Sequence, residues 1–299
     1  MTLAAQLADP SAPLNEYGAL RRVMICPAEA AYGGQPRLDA VWQGEEFLGR
    51  PDFVEARKEY DRFAQILAES GAVIDLFPEA AGLGISAIYI RDSSLVAPGG
   101  VILGRMRNAY RAAEPPALGA YYAAQGLPVL GAIAGEGLLE GGDLAWFDAA
   151  SCAVADGYRT NAEGIRQLRE ILGPGVDVQA VPLPHDQGPG ACLHLMSLIS
   201  PLDADLALVY SRLMPVPFRN WLLDRGMRLV EVPDEEYGLT MGCNVLALGP
   251  RKCLAIEGSP VTRARLEAAG CEVIACKAEE ISLKGGGGPT CLTRPLLRA

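Results

Sequence analysis

Over residues 52–70 the apolar positions recur at helical spacing, with Phe53, Ala56, Tyr60, Phe63 and Leu67 on one face. The run stops at Gly71, and a β-branched apolar segment, AVIDLF, follows. A glycine at that point permits the left-handed backbone that closes many helices. The same phrase returns four times, as YYAAQ, Gly126, LPVLGAI, then REILGP around Gly173 with VDVQAVPL, then NWLLDR, Gly226, MRLVEVP, and last RARLEAA, Gly270, CEVIAC. Successive glycines lie 55, 47, 53 and 44 residues apart. A period near fifty held five times marks a repeat architecture.

A hairpin pattern follows each helix–glycine–strand phrase. Four of these read AIYIRDSSLVAPGGVIL, LEGGDLAWFDAASCAVADG, LHLMSLISPLDADLALVY and CNVLALGPRKCLAIEG. The fifth offers only CLTRPLL, and the N-terminal LRRVMIC supplies the missing partner. Pairing of the two chain ends would remove a sheet edge and seal a ring. The expectation is therefore one α/β domain spanning residues 1–299, built of five ββαβ blades closed by the N- and C-terminal strands. A doubly wound sheet also alternates helix and strand, but it calls for single parallel strands and a glycine-rich GxGxxG turn, and neither is present.

Polar residues interrupt the apolar strands at matching places. Asp92, His194 and Cys291 each lie 21 positions after a repeat glycine, Glu140 lies 14 after Gly126, and Asn244 lies 18 after Gly226. In a ring, equivalent positions converge on the axis. Acids buried there call for a bound cation or a tight internal network, because an unpaired buried charge costs several kcal/mol. Cys291 follows the run KGGGGPT, which lets backbone approach a ligand closely. Glu140 and Asp143 flank two glycines in LEGGD, and His185 stands in a loop, PLPHDQGPG, that reads as solvated.

Composition narrows the partners. Half of the 299 residues are hydrophobic and 21% are charged, enough for a substantial core. The formal charge of −10 argues against nucleic acid and anionic membrane surfaces and suits a small cationic ligand. No apolar run approaches the ~20 residues of a membrane span, and the opening MTLAAQLADPSAP lacks a basic leader, so the cytoplasm is expected. The eight cysteines form no CxxC pair and there are two histidines, so neither a disulfide framework nor a metal site is expected.

Taken in order, YIRD, LEGGD, GYRTN, LHLMS and GGGGPTCLT, with the opening NEYGALRRVMICP, resemble the guanidino-group-modifying enzymes of the pentein superfamily. Dimethylarginine dimethylaminohydrolases, arginine deiminases and amidinotransferases belong to it, and its fold is a five-bladed α/β propeller. The resemblance implies Cys291 as nucleophile, His194 as general acid and base, and Glu140 as a residue that orients His194 or shares the guanidinium contact. It implies Asp92 as the guanidinium ligand, Arg111 and Arg159 as ligands of a substrate α-carboxylate, and Asp143 as a structural acid. No cofactor is implied, and the partner is a small guanidino amino acid; a homo-oligomer stays open.

The implied reaction is hydrolysis of the guanidino C–N bond of arginine or an Nω-substituted arginine to citrulline. Transfer of the amidino group to an amine and a non-catalytic ribosome-binding role are the alternatives. The chain departs from its relatives in places. Arg91 precedes Asp92 as in deiminases and amidinotransferases, Met196 stands where deiminases carry an Asp, and Thr290 precedes the cysteine as in the dimethylarginine hydrolases. Met196 in place of a carboxylate suggests an apolar wall with room for an N-alkyl group.

Overall fold

The computed structural model describes residues 3–7, 14–77 and 82–299. Most of the opening segment in which no leader was read lies outside them, apart from a short helix, Leu3–Leu7. The five repeat glycines all take positive φ, from +70° at Gly126 to +90° at Gly71 and Gly270, the conformation that closes each helix before its strand. The helix of the first repeat, Phe53–Glu69, buries Ala56, Tyr60, Phe63 and Leu67, and Asp52 caps it by accepting from the N–H groups of Val54 and Glu55.

Among the described residues the strands form five three-stranded sheets. The first contains β1 (Leu20–Ile25) and β2 (Val73–Leu76), which run parallel. The second holds β3 (Ser94–Ala97), β4 (Gly100–Leu103) and β5 (Val129–Ala132), the third β6 (Leu144–Asp148), β7 (Ser151–Asp156) and β8 (Asp177–Pro182). The fourth holds β9 (Ile199–Asp203), β10 (Leu206–Val209) and β11 (Arg228–Glu231), the fifth β12 (Leu246–Gly249), β13 (Lys252–Ile256) and β14 (Glu272–Cys276). In each of these four an antiparallel hairpin is followed by a helix and a third strand parallel to the hairpin's second strand. Finally β15 (Arg294–Arg298) pairs antiparallel with β1, Leu20 opposite Arg298 and Met24 opposite Arg294. The two ends of the chain thus complete the first sheet together.

Apolar clusters fill the spaces between these units. One joins β1 and the Phe53–Glu69 helix through Val23, Met24, Phe63 and Leu67. Another joins the third and fourth sheets through Phe147, Val181, Ile199 and Phe218. β3, β6 and β9 are almost wholly buried along their lengths, whereas β2 leaves Val73 and Leu76 exposed. No helix among the described residues is long and apolar enough to cross a membrane.

The polar residues picked out by spacing lie just ahead of the strands rather than within them. Asp92 precedes β3, Glu140 precedes β6, His194 precedes β9, Asn244 precedes β12, and Cys291 precedes β15. Short turns occupy several of these places, Gly141–Asp143 after Glu140 and Leu195–Ser197 after His194. Ladder bonding begins only after the turn, so each polar side chain is set by a turn that a buried strand anchors.

Asn161 ties one such region together. Its Oδ1 accepts from Gly164 N–H at 2.8 Å, capping the helix Ala162–Leu172, and from Leu138 N–H at 3.0 Å, while its Nδ2 donates to the carbonyl of Glu136. Asn161→Ala is expected to cost about 1–2 kcal/mol through the lost cap and strand ties. A lowered urea midpoint at unchanged slope is the measurement.

Candidate active site

Asp92, Arg111, Arg159, His194, Asn244 and Cys291 line one cavity of about 480 Å³. Glu140 stands behind His194 and is fully buried. The structure thus brings together every residue that the sequence assigned to the site, each from a different turn or loop.

Glu140 is the hub. Its Oε2 lies 2.9 Å from His194 Nε2 and accepts from Arg159 Nη1 at 3.3 Å, and its Oε1 accepts from Arg107 N–H at 3.0 Å. Burial alone would raise its pKa, but the bond to His194 and the charges of His194, Arg159 and Arg111 hold it well below the ordinary carboxylate range. Burial works against charge on His194, yet the nearby Cys192 sulfur and the Asp143 and Asp92 carboxylates raise its pKa well above the usual value. Its other ring nitrogen, Nδ1, lies 3.9 Å from Asp92 Oδ1 and 3.6 Å from Cys192 Sγ.

Gly142 permits this approach. A Cβ there would stand 2.5 Å from His194 Nδ1 and 2.9 Å from Asp92 Oδ1, a clash no relaxed rotamer removes. Asp143 accepts from Leu195 N–H at 3.0 Å and so fixes the turn after the histidine. Burial pushes its pKa up to about 6, against the pull of the His194 charge.

Asp92 is 3% exposed. Arg111 Nη1 donates to its Oδ2 at 2.7 Å, and its Oδ1 has no hydrogen-bond partner. Arg111 is itself held by Glu114, which accepts from Nε at 2.8 Å and Nη2 at 2.9 Å, and by the carbonyl of Tyr89 at 3.0 Å. Little of this guanidinium is left for a carboxylate in the cavity. Arg159, by contrast, keeps an unpartnered Nε.

Cys291 is the partly exposed member of the set. Asn244 Nδ2 lies 3.2 Å from its sulfur and Asn244 Oδ1 accepts from Thr290 N–H, so this side chain clamps the cysteine turn. Gly288 fits against the same asparagine, since a Cβ there would meet Asn244 Cγ at 2.4 Å. Burial and the Asp92 charge push the Cys291 thiol up to about 11, with His194 and Asn244 acting the other way.

Met196 is not part of the cavity wall. Its sulfur lies 3.0 Å from Arg91 Nη2 and it is 4% exposed, so the apolar wall expected from this position is absent. Cys192, to which the sequence gave no role, does line the cavity. The available signal was its place two residues before His194, because in extended chain such neighbours share a face. Asn244 was marked by spacing without a role. Asp92, Glu140 and His194 also bring three potential metal-ligand atoms within 4.8 Å of one another, a grouping the sequence did not suggest, and Arg111, Arg159 and the imidazole itself already engage the two acids.

The sign of the pH response follows from these shifts. His194, raised from 6.5, favours the fold fully below that value and loses the contribution as pH rises through its raised value. Glu140, lowered from 4.5, favours the fold above that value and loses the contribution as pH falls through its lowered one. Glu140→Gln is expected to drop the His194 midpoint by about 1–2 pH units. With only His185 and His194 in the chain, imidazole proton NMR reads this directly.

The chain is similar to several known proteins. A family model described as arginine deiminase matches residues 214–298. The chain is 26% identical over 286 residues to YkgA of Bacillus subtilis, covering 95% of this chain and 94% of that one. It is 26% identical over 191 residues to an arginine deiminase of Rhodococcus erythropolis, covering 54% of this chain and 46% of the relative, so it spans about half the length of that enzyme. Among solved structures, the dimethylarginine dimethylaminohydrolase of Pseudomonas aeruginosa complexed with citrulline superposes with a TM-score of 0.74 at 22% identity, over 94% of this chain and 100% of that one. The N-terminal domain of ArgZ, an arginine dihydrolase from cyanobacteria, gives 0.78 at 20% identity over 93% and 97%. Residues 214–298 thus match the arginine deiminase model, and over nearly its whole length the chain shares the fold of the dimethylarginine dimethylaminohydrolase and ArgZ structures.

Proposed function

We propose that this protein is an amidine hydrolase that cleaves the guanidino C–N bond of free arginine or an Nω-substituted arginine, through a covalent adduct on Cys291. The reading takes the five sheets as blades of one closed propeller domain, residues 1–299, with the cavity at one end of its axis. The observation that carries it is Asp92, a buried carboxylate with one oxygen unpartnered, on the same wall as a thiol and an imidazole. The citrulline held by the Pseudomonas aeruginosa structure and the L-arginine held by a solved AgrE structure support the substrate class.

A guanidinium is a weak electrophile, and Asp92 Oδ1 can fix it by accepting one of its N–H groups. The same cation offsets the Asp92 charge that opposes ionisation of Cys291, so binding itself favours the thiolate. The sulfur then forms a C–S bond to the guanidinium carbon. His194 delivers the Nδ1 proton to the departing nitrogen as the C–N bond breaks, leaving an S-alkylthiouronium cation and a free amine or ammonia. Water, deprotonated by the same nitrogen, adds to that carbon, and C–S cleavage returns the thiolate and releases a ureido product. Glu140 orients His194 and stabilises its charged form throughout.

Arg159, with its unpartnered Nε, is the main anchor for the α-carboxylate, and Arg111 serves chiefly to hold Asp92. Arg159→Ala is expected to raise KM for arginine at least tenfold, and to change KM for agmatine, which has no carboxylate, far less, with a similar modest fall in kcat for both through the lost contact to Glu140. Steady-state kinetics on the two compounds separate the outcomes, and equal rises in KM for both would remove the carboxylate role.

Cys291→Ala is expected to abolish turnover, whereas Cys152→Ala, a substitution in the buried β7 strand, leaves the rate within about twofold. The decisive experiment is a mass-spectrometric product screen over arginine, Nω-methylated arginines, agmatine and guanidinoacetate. Citrulline with an equivalent of amine or ammonia supports the proposal. No ureido product from any of them, or an equal rate in Cys291→Ala, overturns it.

A further inference from the structure

A second concentration of charge lies in the interior, in a cavity that shares no wall residue with the first. It is lined by Glu16, Arg91, Pro98, Trp146, Arg294 and Arg298 among others, and its volume is about 40 Å³. Arg91, Arg294 and Arg298 are 1%, 5% and 4% exposed, and Glu16 is 7% exposed. Three guanidiniums therefore face a single carboxylate.

The bonds do not balance either. Arg91 Nη2 donates to Glu16 Oε2 at 2.7 Å, and Arg298 Nη1 donates to the carbonyls of Gly18 and Ala247 at 2.7 and 2.9 Å. Arg294 Nη2 donates to the carbonyl of Arg91. That leaves Nε and Nη1 of Arg91, Nε of Arg294, and Nε and Nη2 of Arg298 without a hydrogen-bond partner. Buried donors of this kind are costly, and buried charges without a counter-charge more so. The charge of Asp92 also favours the charged form of Arg294, but Asp92 lines the other cavity, where Arg111 holds one of its oxygens.

Neutralisation by proton loss is closed to these groups. Burial and mutual repulsion lower Arg294 to about 9, and burial lowers Arg298 to about 10. Both remain charged at neutral pH, and Glu16, drawn down by all three arginines, stays ionised. Among the described residues that line the cavity, an excess of two positive charges is left.

We propose that a small inorganic anion, halide-sized, binds between Arg91, Arg294 and Arg298 and is part of the folded structure. All three arginines line one small cavity and each keeps unpartnered N–H groups, and the cavity's volume fits a monatomic anion better than a phosphate ester or an organic acid. The site is separate from the cavity of the proposed reaction, although Arg91 N–H donates to the carbonyl of Cys291 at 3.2 Å. The anion would thereby also steady the backbone beneath the cysteine.

The test uses bromide as probe on the intact protein. Crystals grown or soaked in sodium bromide are expected to show an anomalous peak within hydrogen-bonding reach of the three guanidiniums. In parallel, the melting temperature in sodium bromide is expected to exceed that in sodium gluconate at equal ionic strength by about 3–6 °C, saturating with bromide concentration. Arg298→Met, which removes one charge of the excess, is expected to abolish that difference. Should this variant fail to fold, diffraction from the wild-type protein decides alone. Waters but no bromide between the guanidiniums, or equal melting temperatures in the two salts, overturns the proposal. Neither readout depends on turnover, so failure here leaves the hydrolase reading standing, and the converse also holds.

Discussion

The contact between Arg111 and Asp92 is the constraint on which the rest of the site depends. Asp92 is only 3% exposed, and a carboxylate taken out of water needs a partner of opposite charge. Arg111 holds one oxygen at 2.7 Å and Glu114 in turn holds Arg111 at two points, while the second Asp92 oxygen stays free. Much of the neighbouring geometry serves that arrangement. Ser93 Oγ donates to Glu114 at 2.6 Å, and the carbonyls of Ser86 and Tyr89 take the remaining Arg111 donors. The site is thus an ordered sequence of opposite charges running from the helix Glu114–Ala124 to the cavity.

A second sequence of charges runs through Glu140, which joins His194 to Arg159. The two converge where Gly142 lets the imidazole and the Asp92 carboxylate come close. Neither would hold in water, where an exposed ion pair contributes little. Burial gives these contacts their strength, and burial in turn rests on the strands that follow each turn.

The repeat was legible because its signal is local. A left-handed residue closes each helix, and glycine meets that need with the least strain, so five glycines at near-regular spacing disclosed five units. Spacing also found Asp92, His194 and Cys291, since equivalent units carry these equivalent residues to one cavity. What the sequence misjudged depended on orientation. Met196 follows His194 by two residues, yet the turn Leu195–Ser197 directs it to Arg91 and away from the cavity. The Arg111–Glu114 contact was visible in principle as a three-residue helical spacing, whereas Glu16 and Arg91, 75 residues apart, gave no local sign of their pairing.

The pairing of β15 with β1 ties one side of the cavity to a contact between segments far apart in sequence. Cys291 stands three residues ahead of β15, so the turn that carries the thiol is anchored by a strand whose partner lies near the other end of the sequence. The carboxylate of Asp92 and the imidazole of His194 are anchored by hairpins whose strands are neighbours in sequence. A change that loosened the β1–β15 pairing would therefore displace the sulfur while leaving the other two groups in register.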